Sequence, residues 1–345
     1  MLTANAHKKF TTCGDVEAEM ILERVLLEIK ETLSGMNLCV VLGGSYGRGD
    51  GGVRLDRENG ILYNDLDFFV FARKKVINAE QILKEIAEKY EHELKIDVDF
   101  SRIMTIKDIK NNASRLMMQE LKRGYYLVCG EDLLAQYLPE LPANRLPFSE
   151  ACRLLVNRGM GLLLAGEKIA NNSEDTDFIL RNLYKAILGV TDAMLITEGK
   201  YYWKLSERLD FIEKSDNVPD DWKQLYREAV EFKCSPHRQK KQDMVAFWNN
   251  VRKLFQSAIV HYIGDDNNND LRDKILNLCR QSNEVSIKNY IKYCIKSRSL
   301  PLGAWKYYTM PPVALLVSDI YSALDNMPNK IDKQGKLYQN WLIFN

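Results

Sequence analysis

The 345-residue chain has no apolar run approaching the ~18 residues that a membrane span requires. Its first twenty residues, MLTANAHKKFTTCGDVEAEM, carry no apolar signal core, so a cytoplasmic location is expected. Seven cysteines (13, 39, 129, 152, 234, 279 and 294) are scattered, odd in number and never form CxxC. That pattern argues against a disulfide framework and against zinc. His92, His237 and His261 show no metal-ligand spacing. The formal net charge is only +1, which lacks the strongly basic footprint of a nucleic-acid binder. One local cluster, His237, Arg238, Lys240 and Lys241, reads as a solvated lead-in to a helix.

What is present is ordinary globular composition, 46% hydrophobic and 28% charged, in a length that suits about two domains. Apolar residues recur at helical spacing over 15–34 (Met20, Ile21, Val25, Leu26, Ile29, Leu33). NLCVVLGG (37–44) reads as a buried strand, LDFFVFA (66–72) as a second and LKIDVDFSRI (94–103) as a third. Between the last two lies an amphipathic helix over 79–93. A helix over 112–124 stopped by Gly124 and a short strand over 125–130 complete a region of alternating strands and helices. Three prolines in PELPANRLP (139–147) mark a boundary. Beyond it the pattern predicts helices over 149–170, 176–198, 204–214, 220–232, 241–262, 269–281, 285–297 and 312–325. Residues 297–312 form a connection rich in proline and aromatics.

The densest signal is GGSYGRGDGG (43–52), six glycines in ten positions. Gly47, Gly49 and Gly52 satisfy G-x-G-x-x-G literally. A dinucleotide fold needs its last glycine to open a helix, and VRLDRENGILYND has no helical stripe. A P-loop needs Gly-Lys-Ser/Thr, and no lysine follows. Asn64-Asp65-Leu66-Asp67 opens the second strand, so its two carboxylates share one face. Asp97 and Asp99 share a face of the next strand. Same-face carboxylates repel and resist desolvation, and a bridging divalent cation relieves both. Hard oxygen donors of this kind suit Mg²⁺, which takes a few carboxylates together with substrate phosphates.

Strand, Gly-Gly-Ser, spacer, Asp-x-Asp on a strand, then a later strand Asp: this order resembles the polymerase-β-like nucleotidyltransferase superfamily. The matching residues are Gly44, Ser45, Asp65, Asp67 and Asp99, with Asp97 as the alternative third acid. The resemblance covers about residues 37–130. The layout also resembles kanamycin nucleotidyltransferase-like enzymes. It implies an α+β, two-domain chain: a small mixed-sheet nucleotidyltransferase domain over 1–145, then an all-α domain over 146–345 that binds the acceptor and closes the cleft.

The same resemblance implies that Gly44 and Ser45 hold the nucleotide triphosphate. It implies that Asp65, Asp67 and Asp99 bind two Mg²⁺ ions, Mn²⁺ being able to substitute. Arg48, just past the serine, is placed to reach a phosphate. The implied reaction moves an NMP from an NTP to a hydroxyl or phosphate, on a small molecule or on a protein side chain, and releases pyrophosphate. A catalytically inactive nucleotide-sensing or partner-binding module is the alternative. Neither nucleic acid nor a membrane is expected as a partner. One departure stands out. Nineteen residues separate Ser45 from Asp65, and the excess over 49–63 is expected to form an inserted hairpin or flap at the site's rim. Tyr46, Tyr201, Tyr202 and Trp203 read as packed aromatics. Arg153, Arg158, Arg181 and Lys185 read as solvated helix faces.

Overall fold

The structure, a computed structural model, describes residues 10–54, 61–74, 76, 79–236, 243–263, 271–325 and 335–344. The basic cluster at 237–241 and positions 55–60 of the insert lie outside them. The chain is mixed α+β, with a small five-stranded sheet and many helices. Contacts gather it into two units, one drawn from Met1–Pro142 with Val230–His237 and one from Ala143–Ala229 with Arg238–Asn345.

In the first unit, α1 (Val16–Thr32) starts where the Asp15 carboxylate accepts the Ala18 N–H at 3.0 Å. Ala18, Leu22, Val25, Leu26 and Ile29 form its buried stripe, whereas Met20, read as part of that stripe, is exposed. Then come β1 (Cys39–Leu42), α2 (Gly44–Arg48), β2 (Leu66–Ala72), α3 (Ala79–Leu94) and β3 (Val98–Phe100). They are followed by β4 (Met104–Thr105), α4 (Ile106–Asn111), α5 (Leu116–Arg123), β5 (Tyr126–Cys129) and α6 (Leu133–Tyr137). The sheet order is β3-β2-β1-β5. β1 runs antiparallel to β2 and β5, while β2 runs parallel to β3 and, farther along, to β4.

Side chains alternate across β2, and each face has its own core. Leu66, Phe68 and Val70 join Leu42 and the buried faces of α1 and α3. Phe71, with the half-buried Phe69, joins Val41, Ile109, Met118 and Leu121 on the other side. Asp67 lies on this second face by the same alternation.

Two sequence expectations change here. The strand read over 94–103 is only Val98–Phe100, because α3 continues to Leu94 and buries it. The helix read over 112–124 starts later, as α5 (Leu116–Arg123), and a separate helix, α4, ends before it at Asn111. Asn112 caps α4, Arg115 is extended (φ −69°, ψ 140°), and α5 begins at Leu116. Gly124 does follow the last residue of α5.

The helices after Pro142 are α7 (Phe148–Ala170), α8 (Thr176–Thr197), α9 (Leu205–Lys214), α10 (Asp220–Cys234), α11 (Met244–Ile263), α12 (Leu271–Gln281), α13 (Ile287–Ser297), α14 (Trp305–Tyr308), α15 (Pro312–Asp325) and α16 (Lys336–Phe344). The pairing of α7 with α8 dominates the second unit, with α11 and α15 packed on them. Gly159 of α7 allows Ile320 and Phe255 to approach its backbone. Buried tryptophans satisfy their polar edges: Trp248 Nε1 donates to Leu162 O at 2.8 Å and Trp222 Nε1 to Thr191 Oγ1 at 3.0 Å. Neither α14 nor α16 is predicted by apolar periodicity. Among the described residues no helix is long and apolar enough to cross a membrane.

Candidate active site

β1 delivers the chain into the glycines, and β2 receives it at the carboxylates. Gly43 N–H donates to Asp67 O at 2.8 Å, which ties the end of β1 to the start of β2. Gly44 opens α2 with φ +59°, a conformation that L side chains rarely adopt. A Cβ at Gly44 would collide with Asp67 Oδ2, so the carboxylate rests directly on the bare α-carbon. Glycine is therefore required at Gly44 twice, by its backbone angle and by its neighbour. The first amide of α2 with an acceptor four residues back is that of Gly47, bonded to Gly43 O at 2.7 Å. The amides of Gly44, Ser45 and Tyr46 precede it, at the start of the helix where intrahelical acceptors run out. Ser45 is half-buried at this turn.

Parallel pairing fixes the remaining acids. Leu66 N–H donates to Asp97 O at 2.9 Å, and the register sets Asp67 opposite Asp99. Leu66 and Val98 point into the core, so Asp65, Asp67, Asp97 and Asp99 take the other face. Asp65 and Asp67 are half-buried; Asp97 and Asp99 are exposed. Partial burial, followed by the charges of Asp65, Asp97 and Glu91, raises the Asp99 carboxyl above the ordinary aspartate range. A groove of about 590 Å³ between α3 and β3 opens beside Asp99, lined also by Glu80, Lys84, Glu88, Glu91 and Arg102.

Among the described residues no group of three or more His, Cys, Asp or Glu is arranged to hold a metal. Mg²⁺ does not require such a group, because one or two carboxylates plus substrate phosphates complete its shell. The donor chemistry fits: hard carboxylate oxygens, concentrated where like charges already act on Asp99.

Arg48 sits on protein carboxylates, Nη1 3.4 Å from Glu120 and Nε 3.7 Å from Asp50. Its side chain crosses Gly124, where a Cβ would meet Arg48 Cγ at 2.6 Å. Tyr46 is fully buried, as read, but its hydroxyl has a role that the sequence does not signal. It donates to Gly52 O at 3.0 Å and accepts from Tyr63 N–H at 2.9 Å and Asn64 N–H at 3.3 Å. Burial pushes this phenol well above its usual range, while the two accepted N–H bonds act in the opposite sense.

The insert wraps this hydroxyl. Val53 bridges antiparallel to Leu62, and Arg54 N–H donates to Ile61 O at 2.8 Å, the pairing of a hairpin. Gly51 leaves room for the Tyr46 ring, and Gly52 N–H donates to Asn64 Oδ1 at 2.7 Å. The Tyr63 ring meets Phe232 edge-on at 6.0 Å, and Val53 N–H reaches Cys234 O at 3.5 Å. The segment therefore clamps the two residues that lead into Asp65.

In the second unit, Tyr201 is buried and its hydroxyl accepts from Arg208 Nη1 at 2.7 Å. Tyr202 and Trp203 are half-buried. Arg153 pairs with Glu150 at 3.4 Å, and the methylenes of Arg158 lie over Gly189. Arg181 and Lys185 are half-buried on α8. Comparison with protein-family models and with curated proteins finds no match to this chain.

Proposed function

We propose that the chain is a Mg²⁺-dependent nucleotidyltransferase, moving an NMP from an NTP to an acceptor hydroxyl or phosphate and releasing pyrophosphate. One observation carries the reading: the Asp67 carboxylate rests on the α-carbon of Gly44 and stands opposite Asp99 across β2 and β3. A glycine turn that presents backbone N–H groups thus abuts a run of carboxylates. Phosphate recognition and cation binding are the two requirements of phosphoryl-type transfer.

In this reading the amides of Gly44 and Ser45 and the Ser45 hydroxyl hold the triphosphate. Asp65 and Asp67 hold Mg²⁺, with Asp99 completing the set. The bound ion would neutralise charge developing on the phosphoryl oxygens. Asp99, opposite Asp67 on the neighbouring strand, accepts the proton of the acceptor hydroxyl. The pairing of Arg48 with Glu120 and Asp50 favours a role in fixing the turn over direct contact with a phosphate. The resemblance to polymerase-β-like enzymes in residues 37–130 supports the same assignment, and a small-molecule acceptor suits the near-neutral charge.

The test is ATP, GTP, CTP and UTP binding by calorimetry with and without Mg²⁺, comparing wild type with Asp65→Ala/Asp67→Ala. Metal-dependent binding lost in the variant is expected, followed by pyrophosphate release in an acceptor screen. Binding of equal strength in the variant would refute the site. Binding without turnover over a broad acceptor panel would leave a nucleotide-sensing module.

A further inference from the structure

The helix α13 presents two parallel stripes to solvent. Ile287, Ile291 and Ile295 are spaced four apart and so share one face, with exposures from 50% at Ile291 to 72% at Ile295. Lys288, Lys292 and Lys296 follow one position later and form the adjoining stripe, all exposed. The opposite side is the packed one: Tyr293 is buried, with its ring 4.5 Å from Tyr308 and 5.3 Å from Phe344. Ser286 caps the helix, accepting the Lys288 N–H at 3.2 Å. In the segment that follows the helix, Leu300, Leu302 and Trp305 are exposed as well. Six large apolar side chains exposed in nineteen consecutive residues are more than the scattered singles of an ordinary surface.

Charge narrows what covers them. From Val285 to Ser318 there is no Asp or Glu, and there are five cations: Lys288, Lys292, Lys296, Arg298 and Lys306. Lys306 is paired with Asp273. A second copy of the chain, meeting this face with the same face, would set lysine against lysine. A nucleic acid would answer the charge but would leave the isoleucines and leucines with no base to stack on. A surface that is both anionic and apolar beneath answers both stripes. We propose that α13 and the 298–305 segment form a docking face for an anionic lipid bilayer, with the apolar residues entering the headgroup boundary and the lysines meeting lipid phosphates. The helix lies on the bilayer and does not span it. The proposal does not rest on the transfer reaction.

The experiment is co-sedimentation of the full chain with two vesicle types, phosphatidylcholine alone and equal parts phosphatidylcholine and phosphatidylglycerol. Binding to the anionic vesicles that weakens as salt rises is expected. Lys288→Gln/Lys292→Gln/Lys296→Gln should weaken it roughly a hundredfold, about fivefold for each lysine. Ile291→Asp/Ile295→Asp should abolish it. All five substituted residues are exposed, so unchanged circular-dichroism melts separate lost docking from lost folding. Trp305 gives a second readout: anionic vesicles should shift its emission to the blue, and Trp305→Phe should remove that shift. Failure of the wild type to sediment with anionic vesicles overturns the proposal, as does undiminished binding by the isoleucine variant. Capture of an acidic protein through this face, without vesicle binding, also overturns it.

Discussion

Removing one oxygen, in Tyr46→Phe, tests how the chain presents its carboxylates. The Tyr46 hydroxyl serves the Gly52 carbonyl and the amides of Tyr63 and Asn64 at once. The Tyr63 amide belongs to a buried residue, so leaving it unpaired should cost about 1–3 kcal/mol. Asn64 is half-buried and water can partly replace the lost partner there, while the buried Gly52 carbonyl has a second lone pair and suffers less than an amide from losing one donor, so each of these adds about 0.5–1 kcal/mol. The segment flanking this hydroxyl should therefore be loosened by about 2–5 kcal/mol, far more than an exposed substitution. Read by native-state hydrogen exchange, this corresponds to a roughly 30- to 4000-fold gain in exchange at the amides of Tyr63 and Asn64. Amides in α7 and α8 serve as internal controls. Mg²⁺-dependent nucleotide affinity should fall in parallel, because those two residues lead directly into Asp65. Gly51→Ala reaches the same joint by another route, since its Cβ would collide with the Tyr46 ring. Because both changes act on one contact, their effects should add to less than their sum. Exchange at Tyr63 and Asn64 that stays within threefold of wild type in Tyr46→Phe would refute the reasoning.

Gly44→Ala should lower transfer activity at least about a hundredfold, because displacing Asp67 by the width of a methyl group is a misplacement of catalytic scale. Thr105→Ala removes the side-chain cap of α4 and should cost about 1 kcal/mol, measured by urea unfolding of the wild type and variant. The Thr105 N–H and hydroxyl, with the Arg102 guanidinium, hold the Asp108 carboxyl down at about 2. Its folded value lies below its unfolded one, so its stabilisation is complete above pH about 4 and lost as pH falls toward 2. Asp108→Asn should accordingly flatten stability across that window. Arg208→Met strips the buried partner of Tyr201, of the Tyr202 carbonyl at 2.8 Å and of Asp192 at 3.2 Å. A loss of about 3–5 kcal/mol, seen as a lowered melting temperature, is expected.

How much of this was legible in the sequence differs from element to element. The strands β1, β2 and β5 and the long helices announce themselves, because burial on one face or two leaves a period that can be read along the chain. The carboxylates at 65, 67, 97 and 99 are legible as pairs within each strand for the same reason. That Asp67 faces Asp99 is not, because register between parallel strands is set by the crossover through α3 and by cross-strand bonds such as Leu66 N–H to Asp97 O. The start of β3 is not legible for a related reason. KIDVDF alternates well enough for a strand, but Leu94 and Ile96 are buried while only 98–100 pair with β2. The break at Arg115 and the short helices α14 and α16 depend on local packing and caps, with too few residues to show a period. Tyr46 shows the limit most sharply. Its burial follows from an apolar ring in a tight turn, but the three partners of its hydroxyl lie six, seventeen and eighteen residues away.

The interruption between β3 and β4 has a consequence for the fate of the sheet in a crowded solution. A long flat outer strand offers unpaired amides and carbonyls that can recruit a strand from another chain. Here that border is three residues, a gap, and then two residues. Across the gap, Ser101 Oγ accepts the Val70 N–H at 3.0 Å, where a strand carbonyl would otherwise stand, and the exposed Arg102 pairs with Asp108 at 2.9 Å. An incoming strand would find neither an unbroken ladder nor an uncharged approach. The same irregularity that limits β3 to the residues flanking Asp99 thus protects this side of the sheet against growth into an aggregate.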